Sequence, residues 1–112
     1  MTMPEAEARP YTVEDRRTVA ETDDLVVKVF TLAAGQEIPW HYHSQVTDTF
    51  FCLEGKLSIE TRAPRAHHRL AVGETCAVPA KTAHRVTGED GRRCRFLIVQ
   101  GIGSYDYLPV GG

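Results

Sequence analysis

The stretch PWHYHSQVTDTFFCLEG, residues 39–55, places two histidines and an aspartate directly before an apolar segment. His41 and His43 lie two residues apart, so both imidazoles project from the same face if this segment is a β-strand. Asp48 opens the apolar segment that follows. If that second strand folds back antiparallel on the first, the Asp48 carboxylate can reach the ion that the imidazoles hold. The pattern therefore predicts a metal site built from two successive strands.

The same alternation places a third imidazole and a pocket wall. His84 follows the turn that begins at Pro79 and opens another apolar segment, which makes it the candidate third nitrogen ligand. Phe50 and Cys52 share the strand face of Asp48, so we expect them to line the interior below the metal, either as substrate pocket or as core packing. Three imidazoles and one carboxylate leave coordination positions open on a divalent ion, which is typical of a site for chemistry rather than a closed structural site.

Short segments rich in β-branched and aromatic residues, each ended by glycine, proline or charged residues, predict an all-β domain. Regular spacing of these segments favours a sandwich or barrel, because closure removes exposed sheet edges. We expect the segments before and after the turn at residues 54–56 to form a hairpin. Residues 12–21 fit either a helical turn or an edge strand. The predicted strands lie at residues 25–34, 48–53, 57–62, 68–72, 75–80, 84–88 and 93–101.

Length and charge limit the classes of partner. The chain has 112 residues and a net charge of −2, which fits one domain, here residues 11–112, after a flexible tail at residues 1–10. A slightly acidic chain supplies no field for nucleic acid or anionic membranes, so small molecules or proteins are the expected partners. The absence of a signal peptide pattern favours the cytoplasm. Three well-separated cysteines predict reduced thiols.

Two spaced motifs in the chain resemble those of the cupins. In both, the histidines fall in the family's register, although Asp48, Lys81 and Gly88 replace the family's glutamate, glycine and asparagine. The first motif consists of Gly35, five residues, His41, one residue, His43, four residues, Asp48, six residues and Gly55. The second consists of Gly73, five residues, Pro79, one residue, Lys81, two residues, His84, three residues and Gly88.

The resemblance implies a single-domain jelly-roll β-barrel with its metal near the middle of the bore. The family's ligand positions fall on His41, His43, Asp48 and His84. A mixed nitrogen and oxygen set accommodates iron, manganese, nickel, cobalt, copper or zinc. Because Asp48 is one methylene shorter than the family's residue, it either ligates the metal directly or stands behind it, where it would orient an imidazole or act as a catalytic general base.

Fold resemblance leaves several functions open, because one fold hosts unrelated chemistries. The first hypothesis is a metal-dependent enzyme that acts on a small organic molecule, either as a dioxygenase or as a Lewis-acid isomerase or cyclase. The alternative is a non-catalytic module that binds a small molecule or a sugar. The C-terminal residues 105–112, YDYLPVGG, are expected to cover a sheet edge, to exchange with a partner subunit or to fray, and a homodimer is the favoured assembly.

Overall fold

Ten strands form two antiparallel sheets in the computed structural model, which describes residues 11–111. The first sheet has the order β1-β2-β9-β4-β7 and the second has the order β10-β3-β8-β5-β6. A short 3₁₀ turn, Glu89–Gly91, follows β8. The strands are β1 Asp15–Thr22, β2 Leu25–Leu32, β3 Glu37–Tyr42, β4 Thr47–Glu54, β5 Leu57–Thr61, β6 Ala66–Leu70, β7 Thr75–Val78, β8 His84–Gly88, β9 Cys94–Gly101 and β10 Leu108–Pro109.

Alternation along the strands produces the core between the two sheets. In β9, every second residue from Cys94 onward is buried, and the same alternation buries Phe50 and Cys52 on β4. The rings of Phe30 and Phe96 stack with centroids 5.3 Å apart. The predicted all-β jelly roll is therefore confirmed. In the described part of the chain, hydrogen bonding does not close the two sheets into one continuous barrel.

The predicted hairpin around residues 54–56 is wrong. β4 pairs with β7 and β9 in the first sheet, whereas β5 pairs with β6 and β8 in the second. The connection at Gly55 carries the chain from one sheet to the other. Gly55 has a φ of 72°, and a Cβ there would lie 2.7 Å from the carbonyl oxygen of Arg93. The turn residues were identified correctly, but they mark a crossing between sheets.

Both ends of the described chain lie at sheet edges. Residues 15–22 form edge strand β1, which decides between the helical turn and the edge strand predicted for that region. The C-terminal strand β10 pairs with β3 and covers the edge of the second sheet. The flexible tail predicted at residues 1–10 lies outside the described residues. Between residues 11 and 111, no helix has the length and apolar character that crossing a membrane requires.

Lys81 occupies a backbone conformation that favours glycine. Its φ is 65°, and its amide donates a 2.7 Å hydrogen bond to the carbonyl oxygen of His43. The left-handed region costs a residue with a Cβ about 1–2 kcal/mol, whereas glycine enters it freely but loses more entropy on folding. The substitution of lysine at the glycine position of the second motif therefore strains this turn.

We expect Lys81→Gly to raise the free energy of unfolding by about 0.5–1 kcal/mol, because it removes the Cβ from a left-handed residue. Urea unfolding monitored by circular dichroism measures the change. Lys81→Ala is the matched control, since it removes the charged side chain and keeps the Cβ. If both variants were equally stabilised, the side chain rather than the backbone conformation would be the cause.

Candidate metal centre

Three imidazoles converge from two neighbouring strands of the second sheet. His41 on β3 is the register partner of His84 at the start of β8, and their ring centroids lie 4.3 Å apart. His43 follows directly after β3, with its ring centroid 4.8 Å from that of His41. All three side chains are buried. The two-residue spacing thus places the imidazoles of His41 and His43 on the same, inner side, as predicted.

Asp48 reaches the imidazoles from the opposite sheet. Its Oδ2 lies 2.9 Å from Nε2 of His43 and 2.9 Å from Nε2 of His84, and the residue is 1% exposed. The sequence pattern makes this contact conditional on β4 folding back antiparallel on the histidine strand. The two strands do not pair, because β3 pairs with β8 and β10 while β4 pairs with β7 and β9. The candidate centre therefore bridges the two sheets.

Backbone carbonyls orient all three rings in the same way. Nδ1–H of His41 donates to the carbonyl oxygen of Pro39 at 2.7 Å, and Nδ1–H of His84 donates to that of Thr82 at 2.9 Å. Nδ1–H of His43 donates to the carbonyl oxygen of Asp106. Because a carbonyl only accepts, each Nδ1 carries a proton, and Nε2 of each ring faces the interior as the atom available to a metal ion. This outer arrangement is the one that metal-binding histidines commonly have.

The donor set fits a divalent metal ion. The four candidate ligand atoms lie within 4.8 Å of one another. In octahedral coordination, two ligand atoms that each lie about 2.1 Å from the ion are about 3.0 Å apart when they are adjacent and about 4.2 Å apart when they are opposite. The two 2.9 Å contacts of Asp48 match the adjacent spacing. Two Nε2 lone pairs facing a carboxylate oxygen would repel it, so a proton or a cation belongs between them. The cluster of His41, His43, Asp48 and His84 could therefore hold a metal ion.

Burial and charge set the ionisation of the cluster. Burial lowers the pKa of His41 to about 3, with a smaller contribution from repulsion by His84. Burial opposes ionisation of Asp48, but hydrogen bonds from His43 and His84 hold its pKa below the ordinary range. Burial also opposes a charge on His43, yet its hydrogen bond to Asp48 raises its pKa. At neutral pH, His41 is thus neutral and Asp48 is ionised, as metal ligands must be.

The sequence pattern did not indicate Gln100, which hydrogen-bonds the Asp48 carboxylate oxygen that does not face the imidazoles. Its Nε2 donates to Asp48 Oδ1 at 3.0 Å, and the two residues are register partners on β9 and β4. The Gln100 side chain is buried, and its Oε1 has no hydrogen-bond partner. A polar residue at an inward position of the apolar segment at residues 93–101 was the available signal. Gln100 orients the carboxylate and leaves one acceptor beside the centre.

Three tyrosines that the sequence analysis did not assign cover the centre. The Tyr107 ring stacks on His41 with centroids 4.5 Å apart, and the Tyr105 ring lies 5.2 Å from His43. Tyr11 contacts Tyr107 at 5.6 Å. These rings line a cavity of about 10 Å³ beside the histidines, which is roughly the space of one water molecule. The C-terminal segment thus covers the candidate centre as well as the sheet edge.

Phe50 and Cys52, the two residues predicted to line the interior below the metal, differ in their surroundings. Phe50 lines the cavity, whereas Cys52 is buried in the core and does not reach the cavity wall. His67 and His68 lie exposed on β6, which β5 separates from β8 and its His84. Trp40 stacks against Arg62 at 3.9 Å and not against the histidines.

We expect Gln100→Leu to lower the free energy of unfolding by about 1–3 kcal/mol, because it leaves the buried Asp48 Oδ1 without a donor. Metal affinity should fall about tenfold or more, as is usual when the group that orients a ligand is removed. Urea unfolding and calorimetric titration with Zn²⁺ measure the two effects. Gln45→Leu is the matched control, since Gln45 is exposed. Unchanged affinity in Gln100→Leu would contradict a role in orienting Asp48.

Comparison with known proteins identifies what the chain is similar to. The Cupin domain family model matches residues 28–100, which include all four residues of the cluster. No curated protein sequence matches the chain significantly. A conserved protein with a double-stranded β-helix domain from Klebsiella pneumoniae is 23% identical with a TM-score of 0.71, and the alignment covers 99% of each chain.

Two solved enzymes share the fold over part of their length. An oxalate oxidase is 15% identical with a TM-score of 0.69, and the alignment covers 78% of this chain and 46% of that one. The lyase DddQ from Ruegeria pomeroyi, which acts on DMSP, is 20% identical with a TM-score of 0.66 and the same two coverages. At these identities, the likeness establishes the fold.

Proposed function

Because this chain belongs to the cupin domain family, we propose that it is a metal-dependent enzyme that acts on a small organic molecule. The convergence of three Nε2 atoms and one carboxylate oxygen in a buried cluster carries the proposal. In this proposal, His41, His43, His84 and Asp48 are the metal ligands. A divalent ion bound there would supply Lewis acidity, or redox chemistry if it were iron.

Direct ligation by Asp48 is part of the proposal. The alternative was that Asp48 stands behind the metal and accepts an N–H from a ligating imidazole. In the structure, the Nδ1–H groups of all three rings are already bound to backbone carbonyls. Asp48 instead faces Nε2, the atom that would bind the metal, at the spacing of adjacent ligands. These contacts support Asp48 as a ligand, because no Nδ1–H is left for it to orient.

Residues around the cluster can position a substrate and manage its protons. Burial raises the pKa of both Tyr105 and Tyr107 above the ordinary tyrosine value, so their hydroxyls stay protonated at neutral pH and can donate hydrogen bonds. The unpartnered Oε1 of Gln100 can accept one. Aromatic walls exclude water from the centre and strengthen these interactions. Hydrogen bonds from these hydroxyls would polarise a substrate oxygen, and a bound metal ion that acts as a Lewis acid would do the same. This arrangement therefore favours the Lewis-acid type of reaction.

Dioxygenase chemistry is the second candidate reaction, and non-catalytic binding of a small molecule or sugar is the alternative function. An oxidase and a lyase both share this fold, so the fold alone does not choose between redox and non-redox reactions. The identity of the bound metal and the use of oxygen separate these options.

Metal analysis of the protein, purified without added metal, tests the proposal. We expect about one divalent ion per chain by plasma mass spectrometry, removable by a chelator and restored on addition of the same ion. Oxygen consumption is then followed with a panel of small organic molecules. Bound iron with substrate-dependent oxygen uptake would assign a dioxygenase, and bound zinc, manganese or nickel with turnover but no uptake would assign Lewis-acid chemistry. Failure to bind any of these ions at neutral pH would overturn the proposal.

A further inference from the structure

Arg16 lies beside the cavity of the candidate metal centre. It is the register partner of Phe30, and paired residues share a sheet face, so its side chain is on the core side of β1. The guanidinium carbon lies 4.8 Å from the centre of the Phe30 ring and 5.2 Å from that of the Tyr11 ring. Both rings line the cavity. A permanently charged group is therefore packed into the wall next to the cavity.

Arg16 lacks an acceptor for its Nε and lacks the carboxylate partner that Arg85 and Arg95 have. It donates one 2.6 Å hydrogen bond to the Tyr11 hydroxyl, while its buried Nε has no acceptor. Among the described residues, Arg16 contacts no carboxylate. Arg85, in contrast, donates to two glutamates at 2.7 Å each, and Arg95 donates to Glu54. A guanidinium N–H that is shielded from water and has no acceptor costs free energy. An anionic group bound beside Arg16 would supply the missing acceptor.

Other charges near the cavity leave this deficit in place. Lys28 on the adjacent strand lies 4.4 Å from the centre of the Tyr105 ring. The nearby carboxylates are engaged elsewhere. Asp48 is bound to imidazoles and Gln100, and Asp106 is bound to the amide and hydroxyl of Ser44. Glu37 is bound to Arg85.

We propose that Arg16 recognises a carboxylate of the substrate, which makes small organic carboxylates the substrate class of this site. The inference rests on the proposed function, because it places the far end of the same molecule at the metal cluster. A guanidinium matches a carboxylate in shape and charge and binds it through two parallel hydrogen bonds. The cavity has space for about one water molecule, so a carboxylate enters with outward movement of Tyr105, which is 43% exposed.

Binding of matched acids and amides to Zn²⁺-loaded protein tests the proposal. Acetate and benzoate are titrated by calorimetry against acetamide and benzamide, which have the same shape without the charge. We expect at least one acid to bind and its amide not to bind. Arg16→Gln should weaken binding of the acid by about 10- to 100-fold, and Arg16→Lys should weaken it less. Arg17→Gln, on the same strand and exposed, should bind the acid like the natural protein.

Equal binding of acid and amide, equal affinity of Arg16→Gln and Arg17→Gln, or no binding of either acid at millimolar concentration would overturn the proposal. Circular dichroism and urea unfolding establish that each variant is folded. Zinc content is measured for every sample. A protein that holds no zinc but binds the acid through Arg16 would contradict the proposed function alone, whereas stoichiometric zinc without Arg16-dependent binding would contradict this inference alone.

Discussion

His84→Ala is expected to abolish stoichiometric metal binding. The variant removes one of three nitrogen ligands and leaves the Asp48 carboxylate with one imidazole partner instead of two. Groups that only orient a ligand contribute 10- to 100-fold to metal affinity, so loss of a ligand itself should cost at least about 100-fold. Plasma mass spectrometry of the purified protein and calorimetric titration with Zn²⁺ measure the loss.

Thermal unfolding provides a second readout for His84→Ala. A metal present at about 100 times its dissociation constant stabilises the folded state by about 2.7 kcal/mol, which raises the Tm of a domain of this size by roughly 10–20 °C. The natural protein should show this rise on addition of Zn²⁺, and His84→Ala should show almost none. His68→Ala is the control, because His68 is exposed on β6. Full metal occupancy and an undiminished Tm rise in His84→Ala would refute the ligand assignment.

Local pattern was sufficient to identify the candidate ligands, because side-chain direction follows from spacing within one strand. His41 and His43 face the interior because they are two residues apart, and Asp48 faces it because Phe50 and Cys52 alternate with it. Metal ligands also impose a spacing of their own, which made the resemblance to the cupin motifs specific. The direction of each side chain could be predicted without knowledge of which strands pair.

Pairing between strands was beyond the local pattern. Sequential strands are usually neighbours, which made a hairpin at Gly55 the natural prediction. In this fold β4 and β5 lie in different sheets, and the pairing of β4 with β9 brings residues 48 and 100 together across a long separation in sequence. The roles of Gln100, Arg16 and Tyr107 depend on such distant neighbours, so no single segment could indicate them.

Departures from the cupin motifs have different physical consequences. At Gly88, where the family has asparagine, a Cβ would lie 1.7 Å from the carbonyl oxygen of Arg92, so the 3₁₀ turn that follows leaves no space for a side chain. At Lys81, the backbone keeps the glycine-like conformation although the side chain has changed. At Asp48, the shorter carboxylate still reaches two imidazoles. Only the last substitution bears directly on metal chemistry.

Asp48→Asn should weaken metal binding about 100-fold while the fold is retained. Asparagine has nearly the same size, but it removes the negative charge, so no ligand of the cluster would then offset the charge of a divalent ion. Calorimetric titration with Zn²⁺ measures the affinity. Asp106→Asn is the matched control, because its carboxylate binds Ser44 and only its backbone carbonyl contacts a ligating ring. That variant should keep the affinity within a few fold.

X-ray absorption on the zinc-loaded proteins separates a ligand from a bystander at position 48. If Asp48 ligates, Asp48→Asn should lose or lengthen one oxygen contact near 2.0–2.2 Å while the three nitrogen contacts stay unchanged. If Asp48 acted only by its charge, affinity would fall without a change in the contacts around the ion. The 2.9 Å distances from Oδ2 to two Nε2 atoms favour the first outcome, since they are close to the spacing of about 3.0 Å between adjacent ligands on a single ion. An unchanged coordination shell would place Asp48 outside it and leave the three histidines as the protein's ligands.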